Sequence, residues 1–461
     1  MFRRAKSKEQ RERTSEAATL TQSLPASTLP RQRMAVLSIF FLLLILLVPG
    51  ELTAQRKDQL DRARREFAAG DYPSAIRTLQ QVRKLEDDAE GTLLLAVARF
   101  HANDLLGAEA DLLALLERED EDYPLAWFYL GRVYHAQHRF RRAAVEYKRY
   151  LRALSGDGPE RQTVVRLLQN VDNGIRAGFV NDEMIAENLG EVVNSEHDEY
   201  GPVPSPTGTG KVYFSRQRPD LIGGASHSDI VVVSENAGVW SAPAPVNPLL
   251  NTDVQETLID LSPDGQQLYY YRGTDDRDGR YLLDVYQEGG TRLSTQAPDA
   301  PLSPAAGDVT PFFGAPDAVY FASRRPGGYG GLDLYRSERL PDGGYGPPQN
   351  LGPEVNGPYD EITPFVARDG RTLYFSTNDP AYSVGGFDVV RSFWVLGSDD
   401  RFVRPENAGM PLNSAGDDTH FRLAPDTFTG YLTSDRKDGY GQRDLYIVYF
   451  VEAREEMRPR K

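Results

Sequence analysis

Eight carboxylates recur at the head of short strand-like segments, and any acid–base chemistry would be sought there first. Asp198 and Glu199 lie in HDEYGP (197–202), Glu256 in VQETL (254–258) and Asp308 in GDVTP (307–311). Asp360 and Glu361 lie in YDEITP (359–364), and Asp417 and Asp418 in GDDTH (416–420). Paired carboxylates can serve as general acid and base or gather a cation. A catalytic pair would occupy one or two of these places, whereas this feature is echoed in all five. Carboxylates that accept backbone N–H bonds fix a turn wherever that turn recurs. The set is therefore read as a structural acidic ring near a central channel.

Other chemistry is thin. The chain has no cysteine, which removes disulfides, thiolate nucleophiles, thiolate metal sites and a lipid anchor through an N-terminal cysteine. No G-x-S-x-G elbow supplies a serine nucleophile. PSPTGTGK (204–211) hints at a phosphate loop, yet Ser205 stands where the first glycine belongs and Val212 where the closing Ser or Thr belongs. A hairpin turn fits better. DDRDGRYLLD (275–284) crowds carboxylates near a glycine without the twelve-residue calcium-loop spacing. His135 and His138 sit three apart near a helical turn without a carboxylate partner and are read as exposed surface residues. No catalytic residue, metal or cofactor is expected.

The elements that position the carboxylates repeat with them. Asp229, Asp284, Asp333, Asp388 and Asp444 each open a strand-like run, at steps of 55, 49, 55 and 56 residues. Tight Asp-Gly turns such as SPDGQQLYYY (262–271) and ARDGRTLYFS (367–376) keep the same phase. Five repeats of roughly fifty residues, each about four strands, indicate a five-bladed all-β propeller over 184–450. NLGEVVN (188–194) matches the end of a blade's outer strand but precedes the first full repeat, so MIAENLG (184–190) is expected to supply the outermost strand of the last blade. In GGYGGLDLYRS (327–337), Gly330 and Gly331 are read as turn residues.

Residues 55–178 carry a helical period instead. Trp127, Leu130, Gly131, Tyr134, Ala143 and Tyr147 have the spacing of a tetratricopeptide repeat, and Ala63, Phe67, Gly70, Tyr72 and Ala75 stand in the same relation. Leu95, Ala96, Ala108 and Leu112 form a weaker copy between them, and a helix from about Glu160 to Ala177 caps the stack. The expected groove for a partner protein is lined by Leu93, Val97, Phe128 and Arg132.

The cadence D-E-x-x-P, D-G-x-x-L-Y-F-S, G-G-x-D-L-Y and N-L-G-x-x-V-N resembles the TolB-like propeller repeats of gram-negative envelope proteins. Tetratricopeptide repeats followed by such a propeller resemble the front half of PorE-type proteins of the type IX secretion system and related OmpA-family proteins. The resemblance implies an envelope-located interaction scaffold. An OmpA-like domain usually follows in that family, whereas EAREEMRPRK follows the last strand here, so cell-wall anchoring by that domain is not expected.

Charge and the first residues set the expected address. With 52 basic and 67 acidic residues, the net charge of −15 argues against nucleic-acid partners and against an anionic membrane surface, which would want a basic stripe. Arg31 and Arg33 precede an apolar run from Val36 to Val48, followed by Pro49, Gly50 and a small-residue end at Ala54, the order of a secretory signal. Residues 1–54 are thus read as an N-terminal extension with a signal peptide, or with an anchor through 34–50 if uncleaved, and translation starts at Met1 or Met34. Without them the chain holds 44 basic and 63 acidic residues, a charge of −19. Residues 451–461 form a tail. The expectation is a non-enzymatic, exported scaffold, periplasmic or outer-membrane-associated, with envelope or secreted proteins as partners. Its rivals are a propeller hydrolase or lyase using the acidic set, and a carbohydrate-binding propeller using exposed Tyr and Trp.

Overall fold

Left-handed turn residues punctuate the helices at a regular interval. In the computed structural model, which describes residues 54–118, 123–176, 183–218, 227–274, 277–285, 295–395 and 401–452, Gly70, Asn103 and His138 have φ of 79°, 63° and 56°. Each stands between the two helices of a pair: α1 (Ala54–Ala68) and α2 (Tyr72–Gln80), α3 (Ala89–His101) and α4 (Leu105–Arg118), α5 (Pro124–Ala136) and α6 (Phe140–Ala153). A seventh helix, α7 (Pro159–Ile175), ends the series among the described residues. Asp71 caps α2 by accepting the Ser74 N–H at 3.0 Å. The small residues of the motif are where helices meet: Ala75, Ala108 and Ala143 have no exposed surface, and a Cβ on Gly131 would lie 2.6 Å from the Tyr147 ring. No helix among the described residues is long and apolar enough to cross a membrane. Residues 34–50, on which the signal or anchor was read, lie outside the described residues, as do most of the tail and the start of the crowded 275–284 stretch.

The chain divides into two compact units after Leu94. The first holds α1, α2, the short turn Leu85–Asp87 and the start of α3. The second contains the rest of α3, α4 to α7 and all the blades.

Five antiparallel sheets follow the helices. Their first strands, Glu199–Pro204, Gln255–Leu261, Val309–Phe312, Glu361–Val366 and Asp418–Leu423, each pack against the first strand of the next sheet, and the fifth packs back on the first. This closed circuit makes the sheets the blades of a propeller. Each second strand drives an apolar residue between sheets: Phe214, Tyr270, Phe321, Phe375 and Leu432 are at most 1% exposed. In the fifth blade the outermost strand is Met184–Asn188, which pairs antiparallel with Asp444–Phe450 from the far end of the chain. Every first strand is also bulged near its middle, where the pairing register shifts. Gly201, Thr310, Thr363 and His420 sit at these bulges with φ between 49° and 66°, a conformation that is costly for a β-branched threonine.

Candidate functional site

Glu199, Glu256, Asp308, Glu361 and Asp418 occupy one equivalent position, at or beside the start of each first strand, with exposures of 0–1%. Each accepts the N–H of a residue a few positions upstream: Ser195 (3.0 Å), Thr252 (2.9 Å), Ser303 (2.8 Å), Gly357 (3.1 Å) and Ser414 (2.6 Å). Four also receive an arginine from the end of the second strand or just beyond it: Arg216 on Glu199 and Arg272 on Glu256 at 2.8 Å, Arg325 on Asp308 and Arg436 on Asp418 at 2.6 Å. Hydroxyls complete the shell, as with Ser195 on Glu199 (2.6 Å) and Ser323 on Asp308 (2.5 Å). Four of the five carboxylates are thereby tied down by charge-assisted bonds that fix the strand's lead-in loop.

The fourth blade breaks the pattern. Thr377 and Asp379 stand at the two places that hold the arginine in the other blades, and Asn378 between them accepts the Asp360 backbone N–H at 3.0 Å. Glu361 keeps only neutral donors, the Gly357 N–H and the Thr377 hydroxyl, both at 3.1 Å. Burial, with Asp333 and Asp379 nearby, pushes Glu361 up to about 7.

Asp198, Asp360 and Asp417, one residue earlier, reach into the preceding blade. Arg443 of the fifth blade donates to Asp198 at 2.7 Å, and the N–H groups of Leu332 and Phe387 donate to Asp360 and Asp417 at 2.8 Å. Burial beside Asp435 raises Asp417.

In blades three, four and five the aspartates open the third strands and cap the glycine loops before them, whereas Asp229 and Asp284, also expected to open strands, lie within His227–Asn236 and Arg280–Val285. Asp333 accepts from the N–H of Tyr329 (2.7 Å) and Gly330 (3.0 Å), Asp388 from those of Val384 (2.9 Å) and Gly385 (3.0 Å), and Asp444 from those of Tyr440 (2.6 Å) and Gly441 (2.9 Å). Each also takes a side-chain bond from an outer-strand asparagine, Asn350 (2.8 Å), Asn407 (2.9 Å) or Asn188 (2.8 Å). Gly330 lies at a bend, as read, and the glycines in these loops are also required by space. A Cβ on Gly330 would lie 2.2 Å from the Tyr359 carbonyl oxygen, and one on Gly385 would lie 2.3 Å from that of Gly416. PSPTGTGK is a hairpin, with Ser205 N–H donating to Lys211 O at 2.8 Å and Gly208 N–H to Ser205 O at 3.1 Å.

The helices beyond Leu95 seat directly on the lips of blades four and five. His135, read as exposed, is only 3% exposed, and its Nε2 lies 2.7 Å from the Val384 carbonyl oxygen. A carbonyl only accepts, so Nε2 carries the proton and Nδ1 faces the Tyr147 hydroxyl at 3.4 Å. Burial holds this imidazole down at about 4, in its neutral form. Asn173 donates to the carbonyls of Pro380 (2.9 Å) and Ser383 (2.8 Å), Asn170 donates to that of Gly385, and Asn103 donates to that of Gly439 (3.0 Å). The Lys437 ammonium lies 5.4 Å from the centre of the Phe100 ring.

This arrangement also revises the expected groove. Leu93, Val97 and Phe128 are 3%, 1% and 3% exposed and belong to buried packing rather than to an open lining. Arg132 is half-buried, its guanidinium 5.3 Å from the Phe100 ring centre. Phe128 packs on Tyr129, Tyr147 and Tyr150 of the helices, and at the Arg132 end Phe100 meets Lys437 of the fifth blade. The sequence reading missed Asn103, Asn170 and Asn173. Two asparagines three residues apart, among the buried Val164 and Val171 of α7, were the available signal.

Among the described residues no group of three or more His, Cys, Asp or Glu side chains is placed to hold a metal ion. The tetratricopeptide-repeat family matches residues 60–124 and 102–158. The helical part is a tetratricopeptide-type array. A search of curated protein sequences gives no match. Among solved structures, TolB from Acinetobacter baumannii is 12% identical over 64% of this chain and 71% of its own, with a TM-score of 0.33. A GH32 β-fructofuranosidase from Bombyx mori is 12% identical over 62% of this chain and 66% of its own, with a TM-score of 0.34. An α-L-arabinanase from Penicillium chrysogenum is 10% identical over 57% of this chain and 98% of its own, also with a TM-score of 0.34. At such identities and scores these neighbours say nothing about what this chain binds or converts.

Proposed function

We propose that this protein is an exported, non-catalytic scaffold of the cell envelope that holds protein partners on the outward faces of its helical array and propeller. The observation that carries the reading is the engagement of the acidic set. Four of the five equivalent carboxylates are bound to arginine and all five to backbone N–H groups, which favours turn fixing over acid–base work. Tetratricopeptide arrays and propellers are both surfaces built by repetition, suited to wide contacts. The export part of the proposal rests on Arg31, Arg33 and the apolar run that follows. The PorE-type resemblance suggests a place in a secretion or assembly complex.

Photo-crosslinking groups placed on exposed positions of the helices and of the propeller, in the full chain expressed in envelope-bearing cells, test this. The scaffold reading expects the same small set of envelope or secreted proteins from several positions. Recovery of the protein alone would overturn it. A glycan turned over by the folded protein, and no longer turned over by a folded Glu361→Gln variant, would establish the enzymatic rival instead.

A further inference from the structure

Helix α6 has a charge pattern opposite to that of the chain that carries it. Between Arg139 and Arg152 six residues are basic and only Glu146 is acidic, in a protein of net charge −15. Glu146 is 8% exposed and held by Arg149 at 3.2 Å, so it offers no negative charge outward. The buried face of the helix is Phe140, Ala143, Tyr147 and Tyr150. The opposite stripe, Arg141, Arg142, Val145, Lys148, Arg149 and Arg152, is exposed throughout. Arg139 is engaged by Glu109 of α4 at 2.8 Å. Arg141, Lys148 and Arg152 have no ion-pair partner among the described residues. α4 adds Leu106 and Leu113, which are 78% and 41% exposed, and Leu106 lies one helical turn from the Glu109 that binds Arg139.

We propose that this face docks on a bilayer surface that contains anionic phospholipid. Charge complementarity selects that occupant. A protein interface centres on aromatic anchors together with arginine and is depleted of lysine, and the α6 stripe supplies arginine and lysine but no aromatic residue. Single-stranded nucleic acid would want aromatic platforms for its bases as well as charge. Phosphodiester headgroups ask for no fixed geometry, suit long cationic side chains, and accept shallow aliphatic residues such as Val145 and Leu106. The whole-chain acidity that argued against such a surface is a sum over both units. Contact is local, with a screening length of about 10 Å at ordinary ionic strength, so the acidic remainder serves to orient the protein with α6 toward the lipid.

The absence of cysteine gives a direct test. Val145→Cys in the full chain is then a unique thiol, and an environment-sensitive fluorophore on it reports lipid contact at this face and not insertion elsewhere. The expected result is a blue-shifted, brighter signal with vesicles containing phosphatidylglycerol, none with phosphatidylcholine alone, and reversal at high salt. Each basic residue near an anionic surface strengthens binding about fivefold, so Arg141→Gln, Lys148→Gln and Arg152→Gln together weaken it roughly a hundredfold. Circular dichroism of the triple variant confirms its fold, which exposed glutamines in a helix preserve. An equal response to both vesicle types would overturn the proposal, and so would full binding by the folded triple variant. A polyglutamate peptide that saturates the label below the vesicle concentration required would also overturn it, assigning the face to an acidic protein segment.

Discussion

Glu361 is the one buried carboxylate of its set without an arginine, and that difference has a measurable consequence. Its carboxyl group is raised from the usual value near 4.5 to about 7, mainly by burial. The folded state therefore holds a proton that the unfolded state has released between these two values. Stability from this group is fully present below about pH 4.5 and is lost as pH rises through 7. Glu361→Gln keeps an acceptor for the Gly357 N–H and removes the titration. The variant should match the parent near pH 4.5 and exceed it by about 1–3 kcal/mol at pH 8 in denaturant unfolding. Asp379→Arg should shrink the same slope by replacing a nearby carboxylate with the cation that Arg325 and Arg436 supply at the equivalent position. A variant that tracks the parent at every pH would show that Glu361 does not titrate in this window. The position of Glu361 was legible in the sequence because the lead-in recurs. Its isolation was harder to read. The arginine stands opposite the carboxylate in blades one and two but two residues further on in blades three and five, so no single spacing marks its absence.

At the scale of elements, turns and loops decide more than strands do. In blades three, four and five the glycine three residues before the third-strand aspartate lets one blade's loop lie against the next blade's lead-in, so Gly385→Ala must push a methyl group into the Gly416 and Ser414 carbonyls. That overpacking should cost about 1–3 kcal/mol and appear as a lower thermal midpoint, whereas Gly343→Ala, in an exposed loop with nothing nearby but φ of 92°, should cost only its backbone strain, about 1 kcal/mol. The helix-on-blade contact depends on α7. Asn173→Ala would leave the Pro380 and Ser383 carbonyls without this donor, at a cost of about 1–3 kcal/mol. Amide exchange should then rise within 379–386 and stay unchanged in the first blade; exchange within 379–386 equal to the parent's would mean that the bonds do not hold the loop. Helices and blades were legible because periods of about 34 and 55 residues are carried by residue type. The docking was not, because three asparagines and a histidine that bond to backbone carbonyls leave no period and no charge pattern.

At the scale of the molecule, closure rests on one short strand from the beginning of the propeller pairing with the last. Met184–Asn188 is joined to the fifth blade by its ladder and by a small polar cluster. Asn188 donates to Asp444 at 2.8 Å, while Asn194 accepts from Leu445 N–H at 2.9 Å and donates to its carbonyl at 3.0 Å. The third blade has the same cluster in Asn350 and Asn356, but there the outer strand follows directly on its own blade. The same chemical loss should therefore have different outcomes. Asn350→Ala with Asn356→Ala should lower stability and leave the parent's state of association unchanged. Asn188→Ala with Asn194→Ala should release the closing strand and bare the edge of Asp444–Phe450, a template for pairing with another chain. Light scattering at equal fractional stability separates the cases: self-association confined to the second pair is expected, because only there does the lost bond open a ring, and equal behaviour of the two pairs would mean that the ladder alone holds the propeller closed.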